Sequence, residues 1–301
     1  MTVEARRLFR KLAAEGVSPW WAVSPWDDTS VLDAVAWGFR GIRMPLGAAY
    51  GAVRAACDAL RADGGFVTLA ATAWERVDDP ATWVAAARAL WSAVDRPNLL
   101  IGVPASPAGI AAVTDCLAEG IGVECTSVFS VRQYDAVLEA QRAGLERALA
   151  RGVELKSLGV AASSDPGLLD AEVNARLDRL PRGAASGLRD TAGLATARLL
   201  YRARETALSC GNWQPLRNAG TRPPMLLWSV TRPEQVRSLV SWNTAHVMTV
   251  ETAEAAARRD NLEGDTLMGR HAQSALALRL LAERDVDVEA VGAHLLRARF
   301  G

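Results

Sequence analysis

Lysine is almost missing from this chain. Of 34 basic side chains in 301 residues, only Lys11 and Lys156 are lysines; the other 32 are arginines. A high-GC coding bias favours arginine and alanine and accounts for such a pattern. Whatever the cause, amine chemistry has almost no candidates. Net charge is missing too, since the basic side chains are balanced by 34 acidic ones. That argues against nucleic acid and membrane surfaces as partners, because both select a basic excess or stripe. No uncharged run approaches the ~20 residues that span a bilayer. Residues 1–16 read as a charged helix without the apolar run of a signal peptide. The four cysteines, Cys57, Cys116, Cys125 and Cys210, form no C-x-x-C and sit in apolar segments. A reduced, cytoplasmic protein is therefore expected. The three histidines and four cysteines show no ligand spacing, so neither a metal nor a cofactor is expected. G-x-G-x-x-G and the P-loop pattern are absent, which weighs against a doubly wound nucleotide fold.

What is present is an alternation. Short apolar runs ending in small or polar residues are followed by helical stretches rich in Ala, Leu and Arg. Candidate strands are Ser18–Val23, Gly38–Met44, Gly65–Thr72, Asn98–Pro104, Gly120–Thr126, Ser157–Ala162, Met225–Val230 and Ala245–Thr249. Helical patterns include Leu46–Ala62, Pro80–Val94, Pro107–Ala118, Val131–Ala150 and Arg189–Ser209. Pro80 and Pro107 stand at first-turn positions, with Asp79 and Ser106 before them as N-caps. About eight strand–helix units without a linker predict one α/β domain over residues 1–301, a (β/α)8 TIM barrel. Residues 1–16 add an N-terminal helix. Residues 267–300 add two C-terminal helices, broken near Asp285 and packed on the barrel.

One strand declares its faces. In Ile121–Thr126, Val123 and Cys125 suit the helix layer, which turns Glu124 and Thr126 to the interior. Residues at the carboxyl ends of barrel strands line the active site. A buried acid is costly when charged, so Glu124 is a candidate general acid or base. It is equally a structural carboxylate paired to a buried arginine, with Arg43 a possible partner unless Arg43 faces the helix layer.

The segment Asn98-Leu-Leu-Ile-Gly-Val-Pro-Ala-Ser-Pro-Ala-Gly109 resembles the transaldolase strand N-L-x-I-K-x-P-A-T-x-x-G. Glu119-Gly-Ile-Gly-Val-Glu-Cys-Thr-Ser-Val-Phe-Ser130 with Tyr134-Asp-Ala-Val is similar to the family's E-G-I-x-x-N-x-T-L-L-F-S-x-x-x-Y-x-A-V. Val160–Ser163, Asp170–Asp178, Leu227–Ser229, Met248 and Gly16–Trp20 extend the likeness over most of the chain. The resemblance implies a transaldolase-type barrel. It also implies lost chemistry. The family's Schiff-base lysine matches Gly102, its first-strand aspartate Ala22, its second-strand asparagine Met44, its third-strand glutamate Ala70 and its fifth-strand asparagine Glu124. The phosphate-holding arginine matches Leu168 or a neighbour. Thr126 and Ser163 are retained.

The resemblance places Trp21, Trp26, Trp74 and Trp228 at or just past strand ends, and His246 at the end of the eighth strand. The candidate catalytic set is Glu124, Thr126 and His246. The candidate binding set is Trp21, Ala22, Arg43, Met44, Ala70, Trp74, Gly102, Ser163 and Trp228. Packing is the competing reading for every tryptophan, and for Trp37, Trp83 and Trp91 it is preferred. Asp27-Asp28 and Asp78-Asp79 are read as helix caps before diphosphate or magnesium ligands. The function expected is an enzyme without Schiff-base chemistry, of lyase, isomerase or cyclase type, in specialised metabolism. It would act on a bulky apolar or aromatic small molecule by acid/base or cation-stabilising catalysis. A catalytically inactive binding or scaffold protein is the alternative, and a homodimer stays open.

Overall fold

Eight short strands carry the architecture: β1 Val17–Ala22, β2 Gly41–Pro45, β3 Phe66–Ala70, β4 Leu99–Pro104, β5 Val123–Thr126, β6 Val160–Ser164, β7 Met225–Ser229 and β8 Thr244–Met248. Each pairs in parallel with the next, and β8 pairs with β1, so the sheet closes into a barrel. The computed structural model describes residues 1–24, 29–70, 78–181, 183, 185–259 and 262–300. All eight expected strands are there, with ends shifted by at most three residues.

Helices fill the connections: α1 Val3–Ala14, α2 Val31–Trp37, α3 Tyr50–Arg61, α4 Pro80–Val94, α5 Pro107–Ala118, α6 Val131–Ala150, α7 Pro166–Leu177 and α8 Ala192–Ser209. Then come α9 Gln214–Asn218, α10 Pro233–Ser238, α11 Val250–Ala257, α12 His271–Ala282 and α13 Val288–Phe300. The bounds of α4, α5 and α6 are those the sequence predicts, because their ends are chemically marked. Asp79 accepts from the N–H groups of Ala81 and Thr82 ahead of Pro80, and Ser106 accepts from Gly109 ahead of Pro107. Each relieves backbone donors that the first helical turn leaves unpaired. Asp285, in the left-handed region at φ 59°, breaks α12 from α13. The break allows α12 to pack on α8 and α13 on α7. No helix among the described residues is long and apolar enough to cross a membrane. The four cysteines are free thiols, and Cys210 is exposed rather than apolar core.

Strand parity decides what the barrel encloses. Trp20, Phe66, Leu100, Ala161, Leu227, Ala245 and Val247 form one inner apolar cluster. Register then assigns every inward position and stacks them in layers of four from alternate strands. Nearest the carboxyl end lie Ala22, Ala70, Thr126 and Ser229, above Arg43, Gly102, Ser163 and Val247. Below come Trp20, Thr68, Glu124 and Leu227, and then Gly41, Leu100, Ala161 and Ala245. Trp20 lies across Gly41 so closely that a β-carbon there would fall inside the indole ring, which is why glycine is required beneath it. The outward faces belong to a separate, larger cluster with the helices, and this holds Trp21, Met44, Cys125, Trp228 and Met248.

Candidate functional site

The upper interior of the barrel is polar, and its polarity begins with one arginine. Arg43 projects inward from β2, because Ile42 and Met44 take the positions facing the helices. Its Nη2 donates to Glu124 Oε1 from β5, and its Nη1 donates to Ser229 Oγ from β7 at 3.1 Å. The carboxylate side chain is wholly buried, whereas the arginine side chain keeps 17% of its surface toward the mouth. Burial of an ion pair is tolerated only when its groups find partners. Here the carboxylate takes the guanidinium as its partner, and of the readings of Glu124 the structure displays the ion pair.

The pairing is incomplete. Glu124 Oε2, Arg43 Nε, Thr68 Oγ1 and Thr126 Oγ1 are buried and have no hydrogen-bond partner among the described residues. Native interiors pair the great majority of such atoms. Four of them in three adjacent layers make this the most polar and least satisfied part of the barrel's interior.

Asp165 adds an acid. It follows β6 on the inward parity, one step above Ser163, and its Oδ1 accepts from Leu168 N–H at 2.9 Å as the cap of α7. Burial pushes its carboxyl above the usual carboxylate range; the Leu168 N–H, and after it the charges of Arg299 on α13 and Arg43, pull it part of the way back. A half-buried carboxyl raised by desolvation, within the field of two arginines, is a candidate proton-transfer group. Sequence reasoning passed over Asp165 because Asp-Pro before a helix is an ordinary cap signal.

Several expected site residues lie elsewhere. Trp21, Met44 and Trp228 face the helix layer and do not line the mouth. At each of these places the neighbouring residue points inward: Trp20, Arg43, and Leu227 with Ser229. His246 is outward and fully buried, its Nε2 3.1 Å from the carbonyl oxygen of Leu239. Burial lowers its pKa to about 4, the Leu239 carbonyl opposing, so it is a neutral packing residue near pH 7. Ala22, Ala70, Thr126, Ser163, Gly102 and Arg43 are inward and share the upper two layers. Trp26, Trp74, Asp27 and Asp28 lie outside the described residues. Asp79 is a cap, as expected, and Trp83 is core.

Residues 48–299 match the family model for transaldolase/fructose-6-phosphate aldolase. The chain belongs to that family. Among its relatives, the transaldolase of Acidothermus cellulolyticus is 37% identical over 254 residues, covering 79% of this chain and 68% of that one. The transaldolase of Parafrankia sp. is 37% identical over 213 residues, covering 68% and 58%. That of Thermobifida fusca is 41% identical over 196 residues, covering 62% and 53%. The matched stretch thus spans roughly half to two thirds of these relatives' length.

Within that family frame the barrel offers no amine. Lys11 is on α1, and Lys156 is exposed on the loop before β6, at the amino end of the barrel. Gly102, the position that the resemblance gives to the Schiff-base lysine, sits opposite Glu124 in the register. A β-carbon on it would lie 2.9 Å from the carbonyl oxygen of Leu69 and 3.0 Å from Ala70 Cα. Strand β3 has closed onto the glycine, and no side chain fits there without moving backbone.

Proposed function

We propose that this chain is an imine-free enzyme of its family, binding a small polar hydroxycarbonyl compound of the sugar-phosphate kind at the carboxyl end of the barrel. The family's enzymes and the relatives named transaldolase support an enzymatic barrel, and the inward residues support the chemistry. The observation that carries the reading is Arg43, whose side chain stays partly open amid polar groups without partners among the described residues, because the hydroxyl and carbonyl oxygens of such a substrate are acceptors for a guanidinium. Trp21 and Trp228 lend an aromatic substrate no support, since both belong to the helix layer.

The reaction class is proton transfer next to a carbonyl, of isomerase type. Asp165 as carboxylate takes a proton from the carbon beside the substrate carbonyl, and the electron pair moves onto the carbonyl oxygen to give an enediolate. Arg43 is held by Glu124 and Ser229 before substrate arrives, so it stabilises that oxyanion without reorganising. Asp165 then returns the proton to the former carbonyl carbon, while the hydroxyl proton of the carbon first deprotonated passes to the former carbonyl oxygen, so that the carbonyl is re-formed one carbon along. Its raised pKa brings it closer to the operating pH, where a group both accepts and donates well.

Fructose 6-phosphate in D2O tests this by NMR. The expected result is deuterium incorporation beside the carbonyl, reduced at least a hundredfold in Asp165→Asn, with no adduct trapped by borohydride. A trapped adduct on Lys11 or Lys156 overturns the imine-free reading. No exchange by the native chain overturns catalysis in favour of a barrel that only binds.

A further inference from the structure

Two cavities adjoin on the outer surface beside α8 and α10, and their electrostatics differ. The larger, about 350 Å³, contains Arg232, which is bound by Asp170 and Asp190 at 3.0 Å each, with Glu234 3.8 Å away. Glu234 is shared with Arg259 at 3.1 Å. That cluster neutralises itself.

The second cavity, about 230 Å³, shares Arg237 and Ser238 with the first and is otherwise lined by Arg198, Glu263, Thr266 and Arg270. Three guanidiniums from α8, α10 and the start of α12 thus meet at one hollow. None of the three forms an ion pair among the described residues, and Glu263, though on the wall, is beyond ion-pair distance. Arg198 is half-buried, and its Nε donates to the carbonyl oxygen of Thr266 at 3.1 Å. Thr266 is itself tied to Val240 by hydrogen bonds of 2.9 and 3.0 Å, so this wall is fixed. Burial, and then the like charge of Arg270, lower the Arg198 pKa, so the cations at this place repel one another. The first turn of α12 carries neither a side-chain cap nor an acid, so its partial positive charge is also uncompensated there.

We propose that this cavity is a binding site for the phosphoryl group of a small phosphorylated molecule, separate from the barrel mouth. Guanidinium groups match phosphoryl oxygens with paired N–H donors, and a multiply charged anion is the ligand that relieves three converging cations at once. Carboxylates on the protein supply that charge to Arg232, whereas among the described residues none pairs with these three arginines.

Calorimetric titration of the full chain with inorganic pyrophosphate, and with inorganic phosphate, tests the site at constant ionic strength. Saturable binding is expected, tighter for pyrophosphate, with Arg270→Gln weakening it about tenfold and Arg198→Gln as much or more. Arg270 is exposed, so its variant keeps the fold; a thermal melt checks the Arg198 variant. Arg61→Gln, on α3, removes the same charge elsewhere and is expected to change affinity less than twofold. No saturable binding overturns the proposal, as does an equal loss from Arg61→Gln, which would make binding a matter of overall charge. The readout is direct binding, so failure here leaves the proton-exchange reading of the mouth untouched.

Discussion

Two buried ionisable sites stand at similar height in this barrel, on opposite faces of the wall, and they are built by opposite rules. Inside, Arg43 bridges Glu124 and Ser229, so the buried carboxylate has a guanidinium for its partner. Outside, His246 is sealed against the helices with a single carbonyl contact and is held neutral. One face tolerates charge because polar groups gather around it; the other accepts an ionisable group only in its uncharged form. The interior is therefore the face that gathers polar groups, and the outer face is packing even where it carries a histidine.

The largest effect expected comes from breaking the inner pair on its arginine side. Arg43→Met leaves Glu124 buried and uncompensated, and its removal from the pair is expected to lower stability by about 3–5 kcal/mol. Glu124→Leu is expected to lose less, since Arg43 has a route to solvent through the mouth. The double variant is expected to recover much of the loss. Urea denaturation of the full cycle measures the coupling.

Next is the outer site. An unfolded histidine titrates near its ordinary value of 6.5, whereas burial lowers native His246 to about 4. Between these values the unfolded chain binds the extra proton, so stability is full above about pH 6.5 and falls as pH drops toward 4. The loss from this group is on the order of 3 kcal/mol. Stability measured against pH should lose that component in His246→Gln, while the Arg43 variants keep it. A slope unchanged by the substitution would mean the two faces are not distinct in this way.

Gly102→Ala addresses the inner face, on β4 opposite Glu124. Its β-carbon meets the backbone of Leu69 and Ala70, and overpacking of this kind is expected to lower stability by roughly 1–3 kcal/mol, read by thermal melting. The smallest effect is expected from Ser106→Ala, which removes only a cap, about 1 kcal/mol, with no change in deuterium exchange. Asp165→Ala supplies the contrast: a mere cap would behave as Ser106 does, whereas a proton-transfer group also abolishes exchange.

The fold was legible because its boundaries are local chemistry. Asp79-Pro80 and Ser106-Pro107 announce helix starts without knowledge of neighbours. Facing was legible only where polarity alternates, as in Val123-Glu124-Cys125-Thr126. In β1, Trp20 and Trp21 are adjacent and equally apolar, so nothing in their order says which one the barrel encloses. Gly41 on the next strand decides it, by leaving room for one indole. In β8, Ala245 and Val247 fit the crowded interior, and His246 is turned outward as a consequence. In β2, Arg43-Met44 reads backwards to a rule that puts apolar residues inside. The inner arginine makes sense only once Glu124, 81 residues later in the chain, is opposite it.

That separation has a kinetic side. Arg43 joins β2 to β5 and, across 186 residues, to β7, so one side chain spans strands that meet only when the sheet has curled on itself. Contacts of such long range form late, after the loops between them have been closed. Interactions absent from the folding transition state act on the rate of unfolding. The inner pair is thus a latch for the finished cylinder: it does little to bring the strands round, and sets how slowly they come apart.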